Sequence, residues 1–167
     1  EILFVTENAV PVGQSADVGT GRIAGEKLSY ANLRVLSADD DEHIAKFCAR
    51  KAIAWGVPED DASYVTSDLE FERALREGQF DVIVTDLLVD KVLTQRFLRA
   101  YKELNPDCLI ILTSDFLVED FEALKADLGA IYMSKPFSPE ELKAIIDRYI
   151  EEMNSREASS AEGGNAV

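Results

Sequence analysis

Four short stretches carry side chains that could do chemistry together: Asp39-Asp40, Asp86, Thr113-Ser114 and Lys135-Pro136. Each follows directly on an apolar run. If those runs are parallel strands of an α/β sheet, all four fall at the carboxyl ends of the strands, where such sheets bind ligands. Two or three carboxylates there can hold Mg²⁺, a hard cation that takes oxygen ligands. A carboxylate beside a bound metal can act as a nucleophile toward phosphorus. A hydroxyl and an ammonium can then hold the phosphoryl oxygens.

The elements needed to position these residues are legible from Leu33 onward. Leu33 to Ala38 is predicted as the first strand. His43 to Trp55 follows as the first helix, with Ile44, Phe47, Cys48 and Ile53 near helical spacing. Gly56-Val57-Pro58 ends it. Ser63 to Thr66 reads as the second strand. Ser67 caps a second helix over 68–77, stopped by Gly78. Phe80 to Thr85 and Leu109 to Leu112 are unbroken apolar runs, the mark of strands buried on both faces. A third helix over 93–104 lies between them. A fourth helix over 118–128 and a fifth strand over 130–133 follow. Ser138-Pro139-Glu140-Glu141 then supplies an N-cap, a Pro in the first turn and a capping-box Glu. Leu142, Ile145, Ile146, Tyr149 and Ile150 draw the apolar stripe of the fifth helix.

Five strands alternating with five helices predict an α/β fold, a doubly wound parallel sheet. The flavodoxin-like (βα)5 order 2-1-3-4-5 sets the first, third and fourth strands side by side, so that Asp39-Asp40, Asp86 and Thr113 converge. Lys135 comes in from the edge. Residues 1–32 read as a linker or arm, with a short candidate strand over Ile2–Thr6. Gly19-Thr20-Gly21 lacks the Lys and the preceding strand of a phosphate loop. Residues 33–153 form the folded domain, and 154–167, rich in Ser, Ala, Glu and Gly, read as a disordered tail.

The balance of 32 Asp and Glu against 17 Lys and Arg gives a net charge of −15 over 167 residues. Most of that charge lies between residues 33 and 153. So acidic a surface argues against nucleic acid as a partner. No apolar run approaches the roughly 18 residues of a membrane span. Cys48 and Cys108 have no zinc-ligand spacing and read as packed thiols in a reducing compartment. His43 reads as a solvated residue early in its helix, and Trp55 as packing at its end.

Taken together, Val35–Asp41, Asp81–Asp86, Ile110–Ser114 and Tyr132–Phe137 resemble, in order and on the expected elements, the motifs of the CheY-like receiver (response regulator) domain of two-component signal transduction. The resemblance covers residues 33–153. It implies a phosphorelay in which a sensor histidine kinase or histidine phosphotransfer protein passes a phosphoryl group to Asp86. Asp40 would bind Mg²⁺ directly, and Asp39 directly or through water. Asp86 and the backbone carbonyl of Leu88 would complete the protein ligands. Thr113 and Lys135 would bind the phosphoryl oxygens. Thr113 and the aromatic Tyr132 would be the switch, and the Lys135–Pro136 bond would be cis. The output would be a changed surface on the fourth helix, fifth strand and fifth helix, used for a downstream protein or a homodimer. The implied setting is cytoplasmic, away from membranes, and the protein is no enzyme beyond its own aspartyl phosphorylation and dephosphorylation.

One stretch departs from the family's pattern. After Asp86 the chain runs Leu87-Leu88-Val89-Asp90-Lys91-Val92-Leu93-Thr94, without the usual Pro and Gly, and Asp86 to Thr113 is about one residue short. A pseudo-receiver, an interaction module that works without phosphorylation, is therefore the alternative. A Mg²⁺-dependent phosphatase with an Asp nucleophile fits less well, because Leu88 stands where its second Asp would be.

Overall fold

Three buried strands form the centre: β1 (Val35–Ala38), β3 (Val82–Asp86) and β6 (Leu109–Ser114). Their side chains alternate between two apolar layers. Val35, Val82, Val84, Leu109 and Ile111 face one layer, and Leu36, Ala38, Ile83, Ile110 and Leu112 face the other. A strand buried on both sides needs no polar face, hence the unbroken apolar runs. The computed structural model describes residues 25–90, 92–115 and 121–163. The expected candidate strand over Ile2–Thr6 and the Gly19-Thr20-Gly21 stretch lie outside them.

The edges of the sheet are β2 (Ala62–Val65) and β7 (Ile131–Ser134). The order is β2-β1-β3-β6-β7, all parallel, the doubly wound order expected from the sequence. Helices α1 (Glu42–Trp55) and α5 (Pro139–Glu162) supply Cys48, Ala52, Leu142, Ile146 and Tyr149 to the first layer. Helices α2 (Asp68–Glu77), α3 (Gln95–Leu104) and α4 (Phe121–Leu128) supply Phe71, Leu98, Tyr101 and Leu128 to the second. Strand register sets Ala38 beside Thr85, and Asp86 beside Thr113, so the carboxyl ends of the central strands lie level.

Local chemistry closes the helices. Asp41 caps α1 by accepting the His43 amide, and Ser67 caps α2 by accepting the Glu70 amide. Ser138 and Glu141 form the expected capping box of α5. Gly56 ends α1 at φ 122°, where a side chain would be strained and its Cβ would sit 3.3 Å from Tyr30 Cβ.

Three expectations are corrected. A small antiparallel hairpin, β4 (Leu88–Val89) with β5 (Val92–Leu93), stands where the third helix was expected to begin and the loop after Asp86 to run. Asp90 makes its turn at φ 53°, a left-handed conformation that Asp tolerates without Gly. Second, α5 runs 24 residues to Glu162, through the expected disordered tail. Arg156, Glu157, Ala158 and Ala161 are sound helix formers, and the Ser155, Ser159 and Ser160 hydroxyls turn back onto carbonyls four residues earlier.

Third, residues 25–32 pack against the domain and are no free linker. Leu28 is 2 % exposed in the α1–α5 layer. The Asn154 amide grips its backbone twice, accepting the Leu28 N–H at 2.7 Å and donating to its carbonyl at 3.0 Å. Tyr30 stacks obliquely on Trp55, 6.0 Å between centroids, and donates to Asp147 at 2.6 Å. No helix among the described residues is long and apolar enough to cross a membrane.

Leu28→Ala should therefore cost roughly 2–5 kcal/mol, the range for emptying a buried Leu site. Leu69→Ala, at a residue 73 % exposed on α2, should cost under about 0.5 kcal/mol. Urea unfolding of the whole chain measures both. Equal, small effects would show that residues 25–32 do not belong to the core.

Candidate phosphoacceptor and metal site

The end of β1 turns directly into an acidic corner. The Asp39 amide donates to Val65 O at 3.2 Å, which carries the β1–β2 pairing one residue past the strand. Each of its carboxylate oxygens accepts one hydrogen bond, Oδ1 from the Asp41 amide at 2.9 Å and Oδ2 from Lys135 Nζ at 2.7 Å, which leaves lone pairs for a cation. Asp40, next in sequence, is exposed. On the neighbouring central strand, Asp86 is the last residue of β3. Its Oδ2 accepts Lys135 Nζ at 2.6 Å and its Oδ1 accepts the Leu88 amide at 3.1 Å.

Lys135 thus bridges two strand ends. Its own amide donates to Ser114 O at 2.9 Å, extending the β6–β7 pairing to the residue itself. The Lys135–Pro136 peptide is cis. The Lys135 side chain is 7 % exposed, against 3 % for Asp39 and 16 % for Asp86. Burial lowers the Lys135 pKa, but its hydrogen bonds to Asp39 and Asp86 outweigh that and hold it above its ordinary value. Burial also raises the Asp39 pKa, and the Lys135 hydrogen bond offsets this only in part. A buried charge is tolerable only when paired and hydrogen-bonded, and one ammonium does this for two carboxylates.

One carboxylate oxygen each from Asp39, Asp40 and Asp86 lies within 4.8 Å of the others. Three hard oxygen donors this close together suit Mg²⁺ or Ca²⁺ and would not suit a soft metal. The residual charge agrees, since three carboxylates face one ammonium.

The remaining expected residues are close by. Thr113 is buried, paired in register with Asp86, and its carbonyl accepts the Leu87 amide at 3.0 Å. Leu88 follows Asp86 by two residues and opens the hairpin. Tyr132 is half-buried on β7, with its hydroxyl donating to Ser114 O at 3.4 Å. His43 is exposed and takes no part beyond its amide on the Asp41 cap. Both cysteines are buried and free.

Thr94 was not singled out from the sequence, yet its buried hydroxyl reaches the Asp86 backbone. A Thr at the start of a predicted helix signals a cap and nothing more.

No protein-family model matches this sequence, and no curated protein matches it. Solved structures do. The BeF3-activated DrrB receiver domain shares 26 % identity at a TM-score of 0.60, over 71 % of this chain and 97 % of that one. The Francisella response regulator 1452 receiver domain shares 26 % at 0.61, over 72 % and 98 %. Response regulator DrrB of Thermotoga maritima, an OmpR/PhoB homolog, shares 25 % at 0.61, over 72 % of this chain and 54 % of that one, so this chain matches about half of its length. A likeness that spans nearly the whole of two separate receiver domains, at a quarter sequence identity and with the same sheet order, supports a CheY-like receiver domain in this chain.

Proposed function

We propose that this receiver domain accepts a phosphoryl group on Asp86 from a phosphohistidine donor, a sensor histidine kinase or a histidine phosphotransfer protein. The observation that carries the reading is the Asp86 carboxylate at the sheet's carboxyl edge, 2.6 Å from Lys135 and in one oxygen cluster with Asp39 and Asp40. An Asp86 oxygen attacks phosphorus, forming the P–O bond of an acyl phosphate. The P–N bond breaks, and its electron pair leaves on the imidazole nitrogen. Mg²⁺, held by Asp39, Asp40 and Asp86 with the Leu88 carbonyl, would supply the positive charge that lets two anions approach.

The chain's own groups do the rest. Lys135 has three N–H donors, and Asp39 and Asp86 take two, so one remains for a phosphoryl oxygen. The product adds close to two negative charges beside Asp39 and Asp40. Thr113, next to Asp86 across the ladder, is drawn toward the phosphate. Its shift makes room for Tyr132 to turn inward and alters the α4–β7–α5 surface, a local charge event that biases a two-state element. That surface would meet a downstream protein or a second copy of this chain. The domain acts on no substrate other than itself. We take the compartment to be the cytoplasm, where the free thiols of Cys48 and Cys108 stay reduced.

Incubation with acetyl phosphate and Mg²⁺ should add one phosphoryl group by intact mass, and Asp86→Asn should abolish the gain. A folded wild type that never gains mass would favour the interaction module that works without phosphorylation. Mg²⁺ binding has its own test. Saturating Mg²⁺ should raise the melting temperature by roughly 3 °C or more. Asp40→Asn should lose that rise while being no less stable without Mg²⁺, since it removes a like-charge neighbour. An unchanged Mg²⁺ response in Asp40→Asn would rule that residue out as a ligand.

A further inference from the structure

Thr94 stands at the N-cap position of α3, with φ −72° and ψ −19°. A threonine there ordinarily turns its oxygen to the unpaired amides of the first turn. Thr94 makes no such bond. Its carbonyl accepts the Phe97 and Leu98 amides, both at 3.1 Å, and so begins the helix. Its hydroxyl points back to the end of β3. It is shared between the carbonyl oxygens of Asp86, at 3.1 Å, and Leu87, at 3.2 Å. The residue is 1 % exposed.

The phosphoacceptor's peptide is therefore held from two sides. On the sheet side, the Leu87 amide donates to Thr113 O at 3.0 Å and Thr85 Oγ1 donates to Asp86 O at 2.9 Å. On the helix side stands Thr94. Between them the Leu88 amide, at the start of the hairpin, holds the Asp86 carboxylate. The stretch from Leu88 to Leu93 has neither Pro nor Gly to set its path, so these bonds fix where it leaves the strand.

We infer that Thr94 is a positioning residue for phosphoryl transfer to Asp86: its hydroxyl fixes the Asp86–Leu87 peptide and with it the direction from which the carboxylate attacks. The inference rests on the phosphoacceptor reading above. In-line displacement is sensitive to alignment, and a misplacement of about 1 Å costs on the order of a hundredfold in rate. The hydroxyl is not needed to satisfy either carbonyl. Asp86 O keeps Thr85, and Leu87 O keeps the Thr94 amide at 3.1 Å. Its removal should therefore slow the chemistry more than it weakens the fold.

The test is the rate of phosphorylation by acetyl phosphate in saturating Mg²⁺, followed by intact mass across a range of donor concentrations, on full-length wild type, Thr94→Val and Thr94→Ser. Thr94→Val should lower the maximal rate about tenfold or more, leave the half-saturating donor concentration within about twofold, and keep its cooperative melting. Thr94→Ser, which retains the hydroxyl, should restore the rate to within about twofold of wild type. If Thr94→Val does not fold, Thr94→Ala takes its place in the comparison. A valine variant as fast as wild type, or a serine variant as slow as the valine, would overturn the inference and leave the phosphoacceptor reading standing. A wild type that takes no phosphoryl group would overturn both.

Discussion

The ammonium of Lys135 is the contact on which the functional end of this molecule depends. Asp39, Asp40 and Asp86 bring oxygens within 4.8 Å of one another, and like charges that close destabilise the state that gathers them. Lys135 binds the two more buried of the three at 2.7 and 2.6 Å. It can do so only because β7 runs parallel to β6 and the Lys135 amide continues that pairing onto Ser114. The edge strand therefore serves the centre of the sheet. A shift of β7 register by one residue would turn the lysine to the other face and leave two carboxylates without a cation.

The two layers around the sheet are secured differently. The α1–α5 layer is tied by groups far apart in sequence: Asn154 on Leu28, Tyr30 on Asp147, and Tyr149 on the Asp107 carbonyl at 2.8 Å. Lys143 lies over the Tyr30 ring, 5.3 Å from its centroid, and pairs with Asp147. Burial and the Asp147 carboxylate together hold the Tyr30 phenol well above its ordinary pKa. On the side of α4 and β7, the Tyr132 hydroxyl bond to Ser114 is long, 3.4 Å. On that side α4 is tied to α3, where Gln95 and Arg99 both donate to Asp127.

Much of this was legible in the sequence, for physical reasons. Short β-branched apolar runs such as Val82-Ile83-Val84 suit strands buried on both faces, and in a parallel sheet an acid, a hydroxyl or a lysine right after such a run falls at the carboxyl edge. The capping box at Ser138 and Glu141 is local, so spacing alone reveals it. What escaped was either non-local or ambiguous in composition. Leu28 and Asn154 are 126 residues apart, and neither carries a local signal for the other. The serines after Met153 look like a solvated tail, but inside a helix their hydroxyls fold back onto it. The β4–β5 hairpin has no Gly to mark its turn, because Asp90 itself takes the left-handed conformation. Thr94 resembles a cap in sequence, and only the fold reveals what its hydroxyl binds.

The most direct measurement of the central contact is a double-mutant cycle between Lys135 and Asp86, read as unfolding free energy without divalent cations. Lys135→Met alone should destabilise by a few kcal/mol, because it strands two poorly solvated carboxylates. Adding Asp86→Asn should recover much of that loss, with a coupling of about 1.5 kcal/mol or more. Additivity within about 0.5 kcal/mol would mean that Lys135 does not hold Asp86, and would contradict the account of how this site is built.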